Sequence, residues 1–390
     1  MVSRAPQVKI LGSRHCFNGI ADSTQLLVST ERLTAISGID AERQEVTVEA
    51  GVTYGSLGPF LHEHGYALPN LASLPHISVP GAVATATHGS GLTNGSLAAA
   101  VSGFELITAD GELRSYTVHR DGPRFDGMVV HLGALGAMAR ITLKIEPTYS
   151  VAQSVYCGLP WSAALANFDA VMGAGYSVSL FTDWATDRIN TVWIKRRADR
   201  PLDWPENFHG ATLAARDVHP IPAISAENCN PQRGLVGPWH ERLPHFRMGF
   251  APSSADELQS EYFVPLTDAA AALSAIRTLH SSISPQLQIS ELRTVAADAP
   301  WMSMAFGRPT LGIHFTWKPD WPAVRRVLPL IEHALAPFAA RPHWGKLFTL
   351  DPAILRDRYP RFAEFQSLVG ELDPAGKFRN QFLTELLGPA

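Results

Sequence analysis

The sequence predicts an α+β protein built as two domains, and three observations carry that expectation. The chain has 390 residues, more than one ordinary core organises. Its texture changes near residue 150, from short strands and glycine turns to longer strands alternating with helices. In the second half, paired strands are followed by helix, two strands and helix, the order of an antiparallel sheet with helices on one face.

Taken in order, the stretch KILGSRHCFNGIAD (Lys9–Asp22) reads as a short apolar strand and a Gly-Ser turn that delivers His15. Gln44–Gly55 alternates polar and apolar residues before glycines stop it, as a strand should. Leu57, Phe60 and Leu61 recur at helical spacing up to Gly65. Gly103–Thr117 is a hairpin whose Asp110-Gly111 tip tolerates positive φ. Ala139–Pro147 is a further strand closed by proline. Beyond residue 150, Tyr176–Trp184 and Asn190–Arg197 read as paired strands, and residues 198–250 as a loop-rich stretch. A helix is expected over Asp268–Ile283, strands over PQLQISELRTVA and LGIHFTW, and a helix over WPAVRRVLPLIEHALAPF. LDPAGKFRNQFL reads as a tail punctuated by Pro and Gly.

Composition excludes several classes of function. Lys and Arg number 32 against 36 Asp and Glu, so no basic excess exists to neutralise nucleic-acid phosphates. No apolar run approaches the ~20 residues of a membrane helix, and MVSRAPQVKI lacks a signal-peptide core. Cys16, Cys157 and Cys229 are odd in number and far apart, which favours a reducing, cytoplasmic setting. His62 and His64 lie two apart and share no helix face, so no metal is expected.

Two glycine-rich segments permit close approach of backbone N–H groups to a charged ligand: Gly12–His15 and SVPGAVATATHGSG, Ser78–Gly91. Neither fits GxGxxG after a strand or GxxxxGKS/T, which argues against Rossmann and P-loop sites. His15 has a near-neutral pKa by type; its free ring nitrogen can attack an electrophilic carbon, bind a metal, or stay a solvated spectator. Glu291 and Arg293 stand two apart on a strand, so both point to one face, where an acceptor and a donor together grip hydroxyls. His314 and Thr316 share a strand face likewise. Lys346 and Ser73 say little alone.

The motifs GSRHCFN, ALPNLASLPHISVPGAVATATHGSG, HLGALG, SVSLFTDW, PWHERLPHFR, SELRTVAAD, RPHWGK and LDPAGKFRN together resemble the alditol (xylitol) oxidase group of vanillyl-alcohol-oxidase-type (PCMH-type) flavoproteins, neighbours of the sugar-1,4-lactone oxidases. The resemblance covers nearly the whole chain, in order. It implies an FAD-binding domain at 1–149, a substrate domain of antiparallel sheet and helices at 150–345, and a segment 346–390 returning to the FAD domain. It also implies FAD bonded covalently to His15. Ile10, Leu11, Gly12, Ser13, Arg14 and Cys16 would surround the same cofactor. So would Ser73, Ser78, Gly81, Ala82, Val83, Ala84, His88, Gly89 and Ser90, with Ala137 and Met138 near the adenine. Ser73, Gln259, Glu291, Arg293 and Thr316 match positions that hold polyol hydroxyls. Glu291, Arg293 and His314 are the implied groups for handling the hydroxyl proton, and Lys346 for stabilising charge on the reduced ring.

The implied reaction moves hydride from a terminal carbinol to flavin N5 and electrons to O2, giving an aldose and hydrogen peroxide. Alternatives are oxidation of D-arabinono-1,4-lactone and a flavin-binding protein without activity. Two departures stand out. Cys16 occupies the usual serine position of the histidine motif, and thiol is a weaker donor. Members of the group also carry a strand and most of a helix ahead of this motif, so an FAD domain with an exposed edge is expected. A cytoplasmic monomer acting on a small polyol and O2 completes the reading.

Overall fold

The computed structural model describes residues 2–249 and 257–388. In the first half, Val8–Leu11 pairs in parallel with Leu26–Ser29. A five-stranded antiparallel sheet follows, in the order Ile36–Asp40, Glu45–Glu49, Ala137–Lys144, Val101–Ile107, Leu113–Thr117. The alternation seen in Gln44–Gly55 sorts that strand's faces: Val46 and Val48 are buried while Glu45, Thr47 and Glu49 are only half-buried. The hairpin closes through Thr108 and Asp110, whose carboxylate accepts from the Thr108 hydroxyl at 2.6 Å and the Glu112 N–H at 3.0 Å. Gly111 there has φ +89°. Helix Tyr54–Glu63 opens with a reciprocal Thr53–Ser56 capping box, which satisfies otherwise orphaned N–H groups.

The second half is one antiparallel sheet. Its central strands run Ser150–Pro160, Arg188–Arg197, Ser177–Thr182, Leu287–Val295, Thr310–Trp317, Leu258–Pro265, with short strands at both edges. Helices Ala269–Arg277 and Trp321–Leu335 bury Leu273, Ile276, Leu328 and Ile331 against Leu180, Leu292, Ile313 and Phe315. Leu328 is fully buried, and truncating such a leucine to alanine costs about 2–5 kcal/mol. The opposite face of the same sheet looks toward the first half and carries the polar residues.

Three local expectations need correction. The helix over Asp268–Ile283 stops at Arg277, where Thr278 and Leu279 turn on i→i−3 bonds, and a separate turn His280–Ile283 follows. The strand Ala139–Pro147 is Ala137–Lys144, and Glu146–Pro147 departs to pair with Tyr66–Ala67. The Pro-Gly tail is mostly helical: Pro352–Arg358, Phe362–Leu372 and Gln381–Leu387. Leu355, Phe365, Leu383 and Leu386 of those helices share a core with Val48, Leu57 and Phe104. No helix among the described residues is long and apolar enough to cross a membrane.

Candidate functional site

Strand register builds one wall of a cavity of about 220 Å³. Glu261 lies opposite His314, and His314 opposite Glu291, so three adjacent strands present a row of ionisable groups on one face. The next row, Gln259–Thr316–Ile289, follows by the same pairing. Arg293 faces Gly312. A Cβ there would come within 3.2 Å of Glu261 Oε1, so glycine leaves the gap across which Arg293 Nη2 donates to Glu261 Oε1 at 3.0 Å.

Glu261 is fully buried and is the hub. Lys346 Nζ donates to its Oε2 at 2.6 Å, and His88 Nε2 stands 3.2 Å from Oε1. Burial alone pushes this carboxyl up, but Lys346, then His88 and Arg293, outweigh it and hold it well below the carboxylate range. Glu291 is held low in the same way: burial opposes, while Arg293 and His245 prevail. His245 Nε2 donates to Glu291 Oε1 at 2.7 Å, and Glu291 Oε2 lies 3.5 Å from Arg293 Nε. His314 is brought to about 4 by burial and then by Lys346. It stays neutral, with Nδ1 accepting a hydrogen bond from Lys346 Nζ at 2.9 Å, which places its own hydrogen on Nε2, 3.0 Å from Thr316 Oγ1.

The first half closes the cavity from the other side. Ser73 Oγ accepts from Arg293 Nη1 at 3.2 Å. His15 lies at the cavity rim, delivered there by Arg14 in the left-handed region, φ +60°. The segment after it is stapled to the Trp344–Lys346 turn. Phe17 N–H donates to Gly345 O at 2.8 Å, and Asn18 Nδ2 donates to the Trp344 and Lys346 carbonyls at 2.8 and 2.7 Å. His15 is exposed at the surface; partial loss of solvent around its ring, then the Lys346 charge, lowers its pKa to about 4, which leaves the ring uncharged at pH 7.

The residues matched to the cofactor divide into groups. Gly12 and Gly81 both crowd Ser78: a Cβ on either would sit 2.5 or 2.7 Å from Ser78 Oγ. Ser13 Oγ accepts from the Ser78 N–H at 3.1 Å, while the buried Ser78 Oγ has no partner. An orphaned hydroxyl beside bare backbone suits a flat, phosphate-bearing cofactor such as FAD. The Ser78–Gly91 run is not extended throughout, since Val79–Ala84 forms a short helix with Ala82 and Val83 in the core. Ala84 and Gly89 serve close packing: Ala84 O accepts from Leu132 N–H at 3.0 Å, and a Cβ on Gly89 would strike Leu71 O at 2.3 Å. Ser90 Oγ donates to Val178 O. Ala137 packs with Val8 and Phe378, and Met138 lies in the first core; neither lines the cavity. Ile10 and Leu11 are half-buried on their strand, and Cys16 turns its sulfur toward Gly345.

Sequence reasoning missed Glu261 and His245 as site groups. Glu261 stands two residues from Gln259 on one strand, so the spacing that singled out Glu291 and Arg293 was there to read. His245 lies inside the motif PWHERLPHFR but has no strand spacing that points to the site. Its placement depends on the loop before residue 249, where its N–H donates to Ser73 O at 3.0 Å. Among the described residues no cluster of His, Cys, Asp or Glu is arranged to hold a metal ion.

Comparison with known proteins adds to this geometry. Residues 3–117 match the family model of an FAD binding domain, and residues 253–386 that of D-arabinono-1,4-lactone oxidase. The chain is 49% identical over 376 residues to an alditol oxidase from a Streptomyces species, spanning 96% of this chain and 89% of that one. It is 26% identical over 398 residues to an L-gulono-1,4-lactone dehydrogenase from Mycobacterium tuberculosis, spanning 99% and 91%. A crystal structure of cholesterol oxidase from B. sterolicum shares the fold, with TM-score 0.76 at 15% identity over 98% of this chain and 90% of that one.

Proposed function

The chain belongs to the alditol oxidase family of FAD-dependent flavoproteins, and on that premise we propose that it oxidises the terminal hydroxyl of a sugar alcohol in the Glu291–Arg293–Lys346 cavity. It is an FAD-dependent oxidoreductase that uses O2. The observation that carries the reading is the converging row Glu261–His314–Glu291 with Arg293, Ser73 and Lys346, set beside a neutral His15. Residues 1–149 and 346–390 are assigned to the cofactor and 150–345 to the substrate. His15 is assigned as the point of covalent attachment, supported by its uncharged ring at the cavity rim.

Bound in this cleft, FAD supplies the hydride acceptor and afterwards the electron donor to O2. The protein supplies the rest. Arg293, Ser73, Thr316 and Gln259 offer donors and acceptors to successive hydroxyls, and a substrate lacking those hydroxyls leaves buried groups unpaired. Glu291 lines the cavity with Oε1 already bonded to His245, which leaves Oε2 to accept a hydrogen bond from the reacting hydroxyl and orient it. Both nitrogens of His314 are engaged. It therefore orients the Thr316 hydroxyl rather than accepting a proton itself, which narrows the three implied proton-handling groups to Glu291, steadied by Arg293. Lys346, anchored on Glu261, keeps a positive charge beside the reacting centre, where it stabilises developing negative charge.

The test is peroxide release by the FAD-loaded protein with xylitol, sorbitol and D-arabinono-1,4-lactone. Faster turnover of the lactone overturns the choice of substrate and establishes the second reading, which the lactone oxidase match over residues 253–386 favours. A cytoplasmic monomer is the accompanying proposal. Three free thiols support that compartment, and sizing of the purified protein tests the oligomeric state.

A further inference from the structure

Behind Glu291 lies a second polar chain that substrate binding does not use. Lys195, on the strand Arg188–Arg197, is 1% exposed, and no carboxylate pairs with it among the described residues. Its Nζ donates to Leu243 O, to Pro244 O at 3.0 Å and to His245 Nδ1 at 3.2 Å. Three acceptors use all three ammonium hydrogens. With Lys195 charged, His245 Nδ1 is the bare nitrogen and Nε2 the protonated one, and Nε2 donates to Glu291 Oε1 at 2.7 Å. The ring has no freedom to turn. Phe181 and Trp193 meet it edge-on at 5.4 and 5.2 Å, and its backbone is tied to Ser73 O and to the Asn230 N–H at 3.0 and 2.9 Å.

Resting on the polyol oxidase reading, we propose that Lys195 and His245 are positioning residues: the ammonium group fixes one tautomer of His245, and that tautomer holds Glu291 ionised with Oε2 turned to the substrate hydroxyl. Lys195 does not line the cavity, and His245, which does, acts through Glu291. The alternative tautomer would aim a lone pair at the Glu291 carboxylate, and Glu291 would then have to bind a proton to restore a hydrogen bond. A buried ammonium without a carboxylate partner is costly to keep. Burial lowers its pKa to about 7, with Glu291 and then Cys229 pulling it back up. The other charged or titratable groups acting on His245 and Glu291 are Arg293, on the same strand as Glu291, and His314 on the next strand.

The test compares His245→Gln, His245→Leu and Lys195→Met in the FAD-loaded protein. Glutamine keeps the direction of the relay, since its amide oxygen accepts from Lys195 and its amide N–H donates to Glu291. His245→Gln is expected to keep kcat/KM within about threefold of the parent, while His245→Leu and Lys195→Met lose about tenfold or more. Flavin content and the thermal transition show whether each variant is folded. Nitrogen-15 shifts of labelled histidine, assigned against His245→Gln, report the Nε2–H tautomer without turnover; Lys195→Met should lose it. The proposal is overturned if His245→Gln and His245→Leu fall alike, or if Lys195→Met leaves the tautomer in place. If the parent protein oxidises no sugar alcohol, the polyol reading fails, and the tautomer measurement still judges the relay.

Discussion

Replacing Glu261 by glutamine is the sharpest perturbation this site offers. The change is nearly isosteric and removes one charge from a group with no solvent exposure. Lys346 and Arg293, at 2.6 and 3.0 Å, lose their shared counter-ion. At an effective dielectric of about 20, these contacts are worth roughly 6 and 5 kcal/mol of raw attraction. Most of that offsets desolvation, and the measured cost of leaving a buried partner unpaired is about 3–5 kcal/mol. The amide recovers one hydrogen bond and turns its N–H2 on the other cation, so about 3 kcal/mol is the expected loss. At about 2–4 °C per kcal/mol for a domain of this size, the transition should fall by roughly 10 °C. The variant should also gain stability with rising pH between neutrality and pH 9, because its unfolded chain then binds more protons than its native Lys346. Calorimetry on the FAD-loaded protein reads both effects. A shift below about 2 °C, or a flat pH dependence, would show that Glu261 is not the hub.

Other expectations are simpler. His15→Ala should fold but lose the yellow, acid-stable band on a denaturing gel, and persistence of the band would place the linkage elsewhere. Gly12→Ala should weaken FAD retention, because its Cβ would lie 2.5 Å from Ser78 Oγ; adding Ser78→Ala should recover part of the loss, and equal retention by all three proteins would refute the packing argument. His131, His245 and His314 are buried, with pKa values lowered by burial from 6.5 to about 4. A lowered histidine withholds in the native state a proton that the unfolded chain binds, so stability is lost as pH falls from about 6.5 toward 4. Near pH 5 the three take up roughly 2.6 protons on unfolding, about 3.5 kcal/mol per pH unit. Burial raises Glu332 and Asp298, which offsets part of this. A denaturation midpoint no lower at pH 5 than at pH 7 would contradict the direction.

Much of this architecture was legible in the chain because strand and turn chemistry are local. Val46 and Val48 announce an inward face by alternation alone, and Glu291 with Arg293 announce a shared face by a spacing of two. The boundary at residue 277 was not legible, since AAAALSAIRTLHSSI carries no breaker and the helix ends through backbone turns. The helical character of residues 352–387 was obscured by the proline and glycine of LDPAGKFRN, which punctuate between helices rather than replace them. Glu261 was legible in part from its offset of two to Gln259, but its importance comes from cross-strand register that no single strand reveals. His245 and Lys195 meet across 50 residues of sequence, and nothing in either local stretch foretells it.

The most direct measurement is anaerobic mixing of the FAD-loaded protein with xylitol while its yellow absorbance is followed. Bleaching is expected, slower when the terminal carbons carry deuterium and lost in Arg293→Ala, whose protein should still hold its flavin. An absorbance unchanged by xylitol and sorbitol, or a bleaching that Arg293→Ala leaves intact, would contradict oxidation of a sugar alcohol at this cavity.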